Sequence, residues 1–410
     1  MADLPVSKTA SSARPLSDEG RPESEPRTAF ISTYPPRRCG IATFTEHLAE
    51  AVGDYQVWAV HHAEDQFLYP PEVTNLIRRD VRDDYLGAAA KIHASGAQVV
   101  SIQHEYGIFG GQDGEFILDL LERIEIPIVA TLHTVLREPT DSQHHIMVKL
   151  LARTRAVVVM SRAAASLLHS VYGASSSHIR VIPHGVPDLD FVDPDLHKVD
   201  FALADRSIIL SFGLLGPGKG YENVIRALPQ ITRERPDVLY VILGATHPDL
   251  LQREGEAYRE RLHQIARESG VSDQVLFVNR FVDLEELGRW LQAANVFVTP
   301  YPNLEQIVSG SLSYALAAGR PAVSTPYAYA SEVLSDGRGV LVAPDSVPGL
   351  ARALSEILGN ADLQREMGQR VHLYSRPMIW RNIGAAYRTL FSQVIHPRGL
   401  QDWQDSDTHD

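Results

Sequence analysis

Lys219 sits in the stretch SFGLLGPGKGYENVIRAL, residues 211–228, where Gly213 to Lys219 has the spacing G-x4-G-K. That spacing opens the phosphate loop of nucleoside-triphosphate enzymes, in which a Ser or Thr follows the lysine to hold Mg²⁺. Here the following residue is Gly220. Two readings stand. In one, Gly213, Gly216, Gly218 and Gly220 let backbone amides approach a diphosphate. Lys219 and the N-terminus of a helix starting near Tyr221 then add positive charge. In the other, the stretch is a glycine-rich turn with a solvated lysine.

A second chemical segment is YPNLEQIVSGSLSYALAAGRPAVSTP, residues 301–326. Ser309 and Gly310 open a helix that runs to about Ala318, and Gly319 ends it. Glu305 precedes it in a loop. An acid there can accept sugar hydroxyls while the amides of Ser309, Gly310, Ser311 and Leu312 hold an anion. The plainer alternative is a capping Ser309 and a surface Glu305. His133 ends an apolar strand, where a neutral imidazole can bond a hydroxyl or serve as a structural residue. QHEYGIFGG, residues 103–111, puts His104 and Glu105 at another strand end, before a loop that approaches a ligand or moves. In STYPPRRCGIATF, residues 32–44, Gly40 brings backbone to a ligand and Arg37 and Arg38 meet an anion, or the segment is a stiff turn with solvated arginines.

No metal centre is indicated. There is no H-E-x-x-H and no cysteine pair, and the histidine pairs at 61–62 and 144–145 read as surface pairs. Cys39 is the one cysteine, without a triad partner at recognisable spacing, and it excludes an intramolecular disulfide. This fits a cytoplasmic chain.

The elements that must carry these residues alternate. Strands are expected at 29–34, 55–60, 97–103, 127–133, 155–160 and 179–185, then at 207–213, 238–244, 274–279, 295–300, 321–326 and 339–344, with amphipathic helices between. Their apolar character on both faces predicts two parallel, doubly wound α/β sheets. The expected division is a disordered tail at 1–27, a first domain at 28–190, a linker at 191–206, a second domain at 207–377, a helix at 378–395 and an acidic tail at 396–410. Ligands of such sheets bind beyond the carboxyl ends of the strands, here in the cleft between two domains. A formal charge of -13 argues against nucleic acid as partner. No apolar run long enough for a bilayer is present, and no basic amphipathic helix supports a membrane surface.

In this order, PRRCGIATFTEHLAEAV, TLHT, VIPHGV, GLLGPGKGYENVIRAL and the 301–334 segment resemble retaining glycosyltransferases of the GT-B fold, family 4. The match runs from 29 to about 392. The resemblance implies two Rossmann-like domains facing a cleft, with 378–391 crossing back to the first. It implies transfer of a hexose, with retention, from a nucleotide-diphosphate sugar of the UDP-glucose or GDP-mannose class to an unidentified hydroxyl acceptor, without a metal or other cofactor. Lys219 then neutralises the diphosphate, His133 stands near the donor sugar, and Glu305 is the first acid of an E-x7-E motif. Gly40, Gly213, Gly218 and the helix start at Ser309, Gly310, Ser311 and Leu312 line the donor. Arg38, His104 and Tyr106 are placed with the acceptor.

Two positions depart from the pattern. Leu214 stands where relatives carry Arg, and Ser313 replaces the second acid of E-x7-E. Arg280, just after the strand at 274–279, is placed as the substitute cation, and Ser313 as a neutral donor-binding group. These changes mark a bacterial subgroup with a modified motif. The alternatives are a sugar-nucleotide epimerase of the same fold and a non-catalytic nucleotide-sugar-binding protein.

Overall fold

In the computed structural model, which describes residues 25–397, every strand pairing is parallel, and helices link most successive strands, the helix-free connection from Tyr55–His61 to Val73–Arg78 excepted. The tails expected at 1–27 and 396–410 lie almost wholly outside the described residues. The first sheet holds β1 (Thr28–Ser32), β2 (Tyr55–His61), β3 (Val73–Arg78), β4 (Val99–His104), β5 (Ile128–Leu132), β6 (Ala156–Val159) and β7 (Ile179–Val181), in the spatial order β3-β2-β1-β4-β5-β6-β7. Its helices are α1 (Gly40–Val52), α2 (Arg82–Ala94), α3 (Ile117–Arg123), α4 (Asp141–Arg153) and α5 (Arg162–Tyr172).

The second sheet holds β8 (Ser207–Phe212), β9 (Val238–Leu243), β10 (Val275–Val278), β11 (Val296–Thr299), β12 (Ala322–Ser324) and β13 (Gly339–Leu341), in the order β10-β9-β8-β11-β12-β13. Around it lie α6 (Asp195–Lys198), α7 (Tyr221–Glu234), α8 (Pro248–Glu254), α9 (Ala257–Glu268), α10 (Leu284–Ala293), α11 (Gly310–Ala317), α12 (Ala328–Val333), α13 (Val347–Gly359) and α14 (Ala361–Ser375), and α15 (Trp380–Ile395) follows them in the chain. The two-sheet, doubly wound architecture is the one the apolar runs predicted. β1, β4 and β9 are buried along their whole length, as strands covered on both faces must be.

β3 was not expected. It is the edge strand, and Thr74, Leu76 and Arg78 point outward in alternation, so it lacks the continuous apolar run of its neighbours. Its V-T-N-L-I-R pattern is the signal for a half-covered strand.

In both sheets the strand order reverses beside the first strand, between β1 and β4 and between β8 and β11. A reversal opens a crevice because successive connections leave in opposite directions. The loops after β8 and β11, which carry Lys219 and Glu305, are therefore neighbours. So are the loops after β1 and β4.

α15 belongs physically to the first domain. Ile383, Tyr387, Leu390, Phe391 and Val394 join the core under α1, and the Tyr387 hydroxyl meets Thr131 Oγ1 at 2.8 Å. Gly384 makes the crossing feasible, since a Cβ there would lie 2.1 Å from the Ala51 carbonyl oxygen. No helix among the described residues is long and apolar enough to cross a membrane.

Candidate functional site

The glycine-rich turn after β8 has three glycines at positive φ: Gly213 at 131°, Gly218 at 91° and Gly220 at 70°. The first two have open space where a side chain would begin, so a ligand can reach the backbone there. Gly220 does not. A Cβ on it would stand 2.0 Å from the Pro300 carbonyl oxygen, at the end of β11. The hydroxyl residue that a Mg²⁺-binding phosphate loop requires has no room in this fold.

Lys219 places Nζ 4.7 Å from the centroid of the Tyr301 ring, a cation–π contact across the crevice. The Tyr301 hydroxyl meets Ser311 Oγ at 3.1 Å, in the first turn of α11. One aromatic ring thus ties the lysine to a helix N-terminus. Ser309 caps that helix, its hydroxyl accepting from the Leu312 amide at 3.3 Å. Gly310 and Ser311 keep first-turn amides without an intrahelical acceptor. Leu312 itself is fully buried, so it offers backbone only.

Ser313 is corrected. It is fully buried and spends its hydroxyl on the Ser309 carbonyl at 2.9 Å and on the Tyr329 hydroxyl at 2.6 Å. Shortening the acid to serine draws the group into the helix packing, where it cannot meet a ribose. Arg280 is corrected too. It follows β10, the edge strand, which β9 separates from β8, and its guanidinium is held by Glu286, with Nη1 to Oε2 at 2.6 Å. That charge is matched locally and is no spare cation beside Leu214.

Glu305 is exposed in the loop after β11. Its carboxylate accepts from Arg137 Nε at 2.9 Å, across the cleft from the first domain. Arg137 lies five residues beyond the end of β5, and no feature of the sequence singled it out. The same interface closes around it. The Ser161 hydroxyl donates to the Ile307 carbonyl at 2.8 Å, and Glu332 accepts the Arg162 and Ala163 amides at the start of α5.

On the first-domain side, His133 follows β5 and meets Gln103 Oε1 through Nε2 at 3.0 Å. In the tautomer that donates this bond, Nδ1 is a bare acceptor. The Phe44 ring stands edge-on to His133, His184 and Trp380, with centroids 4.9, 5.1 and 5.3 Å away. His184 packs against the start of α11, where a Cβ on Gly310 would lie 2.9 Å from its Nε2. Gly40 is exposed with open space around it, at the N-terminus of α1. Arg38 is exposed and makes no ion pair among the described residues, whereas Arg37 pairs with Asp65 at 3.1 Å.

His104 and Tyr106 do not line an acceptor site. His104 continues the inward face of Val100 and Ile102 and is fully buried against Tyr106 and Phe109, with neither ring nitrogen bonded. Tyr106 is buried and gives its hydroxyl to the Gln143 carbonyl at 3.3 Å. The two-residue alternation along β4 was the available signal. Glu105, between them, accepts the Thr134 hydroxyl, and burial raises its carboxyl above the usual range.

Three imidazoles are held neutral here. Burial lowers His104 and His184 to about 4 and, with His184 and His104 nearby, His133 to about 3. Unfolded, each titrates near pH ~6.5. Between those values the unfolded chain binds more protons, so stability rises with pH up to about 6.5 and levels off above. The melting temperature is expected to fall from pH ~7 to ~5, before most carboxylates protonate. His104→Phe should flatten that slope; an unchanged slope would count against a buried neutral His104.

Among the described residues no group of three His, Cys, Asp or Glu side chains is placed to hold a metal ion. The histidine pair at 61–62 is not a surface pair, since His61, the last residue of β2, is 9% exposed. Two family models match the chain: Glycosyltransferase Family 4 over residues 40–188 and Glycosyl transferases group 1 over residues 193–372. The GDP-mannose-dependent alpha-(1-6)-phosphatidylinositol monomannoside mannosyltransferase of Mycolicibacterium smegmatis is 26% identical over 390 residues, covering 89% of this chain and 91% of that protein. Its counterpart in Mycobacterium tuberculosis is 29% identical, covering 83% and 84%. Among solved structures, Anabaena HepE in complex with UDP and glucose superposes with a TM-score of 0.72 at 15% identity, covering 90% of this chain and all of that one.

Proposed function

The chain belongs to the group 1 glycosyl transferases, with a family 4 glycosyltransferase first domain, and from that premise we propose how its cleft moves a hexose from a nucleoside-diphosphate sugar to a hydroxyl acceptor with retention. The observation that carries the reading is the Lys219–Tyr301–Ser311 chain, which brings a full positive charge and the N-terminus of α11 to one point. A leaving diphosphate carries growing negative charge, and fixed donors aimed at it stabilise the transition state more than the ground state. The anomeric C–O bond to phosphate breaks as the acceptor oxygen bonds the same face. The acceptor proton passes to the leaving phosphate oxygen.

Glu305 accepts hydroxyls of the donor sugar, and Arg137 holds it in place from the opposite domain. His133 offers Nδ1 to a sugar hydroxyl from the other wall. In this reading the reaction runs without a metal; the closed position at Gly220, where a Mg²⁺-binding hydroxyl of a phosphate loop would stand, supports it. The donor is a UDP- or GDP-hexose. Two relatives are named as GDP-mannose-dependent, and on that ground GDP-mannose is the donor proposed ahead of UDP-glucose.

Thermal shift with GDP, UDP, GDP-mannose and UDP-glucose, each with and without EDTA, tests the donor. Stabilisation by one nucleotide family, insensitive to EDTA, is expected. Glu305→Ala should lower transfer at least about tenfold at saturating acceptor. Near-normal transfer in that variant would remove Glu305 from the donor site.

A further inference from the structure

The N-terminus of α5, in the first domain, is completed by a side chain of the second. An α-helix begins with four backbone amides that have no acceptor inside the helix. In α5 the Ser161 hydroxyl accepts the Ala164 amide at 3.2 Å, from within the first domain. The Arg162 and Ala163 amides go instead to Glu332 of α12, to Oε1 at 3.1 Å and to Oε2 at 3.2 Å. Both carboxylate oxygens are spent on one helix start, where the dipole favours negative charge. Glu332 is half-buried and forms no ion pair among the described residues, and the nearby Arg338 pairs with Asp336 at 3.1 Å. The partner of its charge is a helix N-terminus rather than a cationic side chain.

What α12 holds makes this contact bear on the reaction. The Ala328 amide donates to the Leu304 carbonyl at 3.0 Å, and the Tyr329 amide to the Gln306 carbonyl at 3.2 Å. The start of α12 thus grips the loop on both sides of Glu305, and Glu332 reaches the first domain one turn further on. Beyond Glu305 the loop itself enters the first domain. Ile307 is 3% exposed and belongs to the first-domain core cluster that includes Leu132, Val135 and Leu167. Val308 packs on the cluster of Phe44 and Trp380. The Ile307 carbonyl takes its hydrogen bond from Ser161, the residue that caps α5. The loop and α12 therefore rest on the first domain at three points: Arg137 at Glu305, Ser161 at Ile307 and α5 at Glu332. A contact at Ile307 alone would leave the unit free to turn about that point. The Glu332 contact, displaced along α12, removes that freedom.

Resting on the transferase reading above, we propose that Glu332 is a positioning residue for the transfer. It docks α12 on α5 and so sets where the second domain holds Glu305 against the His133 wall of the first. It acts through α12 and its loop, not on the substrate. Because its partners are backbone amides, the contact needs the charge and reach of the glutamate and no particular side chain at Arg162 or Ala163.

The test is hydrogen exchange and turnover on the full chain, unmutated and as Glu332→Gln and Glu332→Ala. Turnover is read as GDP released from saturating GDP-mannose, or UDP from saturating UDP-glucose, with water as the acceptor. The water oxygen bonds the anomeric carbon as the bond to the phosphate oxygen breaks, and a water proton passes to the leaving phosphate. In Glu332→Ala the amides of Arg162 and Ala163, and those of residues 305–309, are expected to exchange at least about tenfold faster. Nucleotide release should fall about tenfold or more, since a small misplacement of a catalytic group costs up to about 10²-fold. Affinity for GDP and UDP should change by less than about twofold. Glu332→Gln keeps an acceptor oxygen and loses the charge, so both readouts should lie between the other two proteins. Unchanged exchange at 305–309 in Glu332→Ala overturns the positioning role, as does a release rate that falls only in step with the fraction of folded protein. Failure of the unmutated protein to bind either GDP or UDP would instead strike the transferase reading, and the exchange result would still decide the docking.

Discussion

Lys219→Ala is expected to lower transfer by about a hundredfold at saturating donor and acceptor, with a smaller effect on donor affinity. The lysine faces charge that grows as the sugar leaves, and removing one preorganised donor at such a position costs about 10²–10³ in rate. Its effect should therefore appear in kcat rather than in KM. Stability should hardly change, because Lys219 is half-buried, its ammonium stands over the Tyr301 ring and it makes no ion pair among the described residues. Lys219→Arg keeps the charge and the contact with the ring, but replaces a compact ammonium by a planar fork, so partial recovery is the expected result. Normal turnover in Lys219→Ala, measured on a protein with unaltered melting, would refute the anion site built from Lys219 and α11.

Gly220→Ser is expected to fail in the opposite sense. On paper it completes G-x4-G-K-S, the phosphate loop of a nucleoside triphosphatase. In the structure it forces a side chain into positive φ and into the Pro300 carbonyl oxygen at 2.0 Å. Left-handed backbone in a non-glycine residue and overpacking each cost about 1–3 kcal/mol. A loss of about 3 kcal/mol, read as a drop in melting temperature and in transfer activity, is the expected outcome, with no gain of Mg²⁺-dependent ATP hydrolysis. Gly218→Ala makes the control. Its φ is also positive, at 91°, but no atom lies within 4 Å of the new Cβ, so only the backbone strain remains. Equal stability in Gly220→Ser and the unmutated protein would mean that β11 does not press on the turn after β8.

The sequence by itself determined every strand of the second sheet, all strands of the first but β3, and most of the residues at their ends. Continuous runs of Val, Ile and Ala can be buried only between two helical layers, so SIILSF and VLYVIL declared central parallel strands. Gly220 declared the absence of a metal-binding hydroxyl, because that test needs only the residue type. Local chemistry likewise placed Ser309 at a helix start, where its cap is found.

Tertiary structure decided what those residues meet. Spacing along the chain carries no strand order, so nothing local could say that β8 lies beside β11 while β10 lies at the edge. That order brings Lys219 to Tyr301 and leaves Arg280 with Glu286. Nor could a single position report which face of β4 holds His104, or that Ser313 would find Tyr329. Arg137, Ile307 and Glu332 are ordinary residues in sequence. They acquire meaning only where the fold sets a cation against Glu305, buries Ile307 in the first domain and lays Glu332 on the start of α5. Residue type and periodicity are local properties of a chain, whereas burial, charge pairing and unmet hydrogen bonds belong to pairs of residues that only the packed fold brings together.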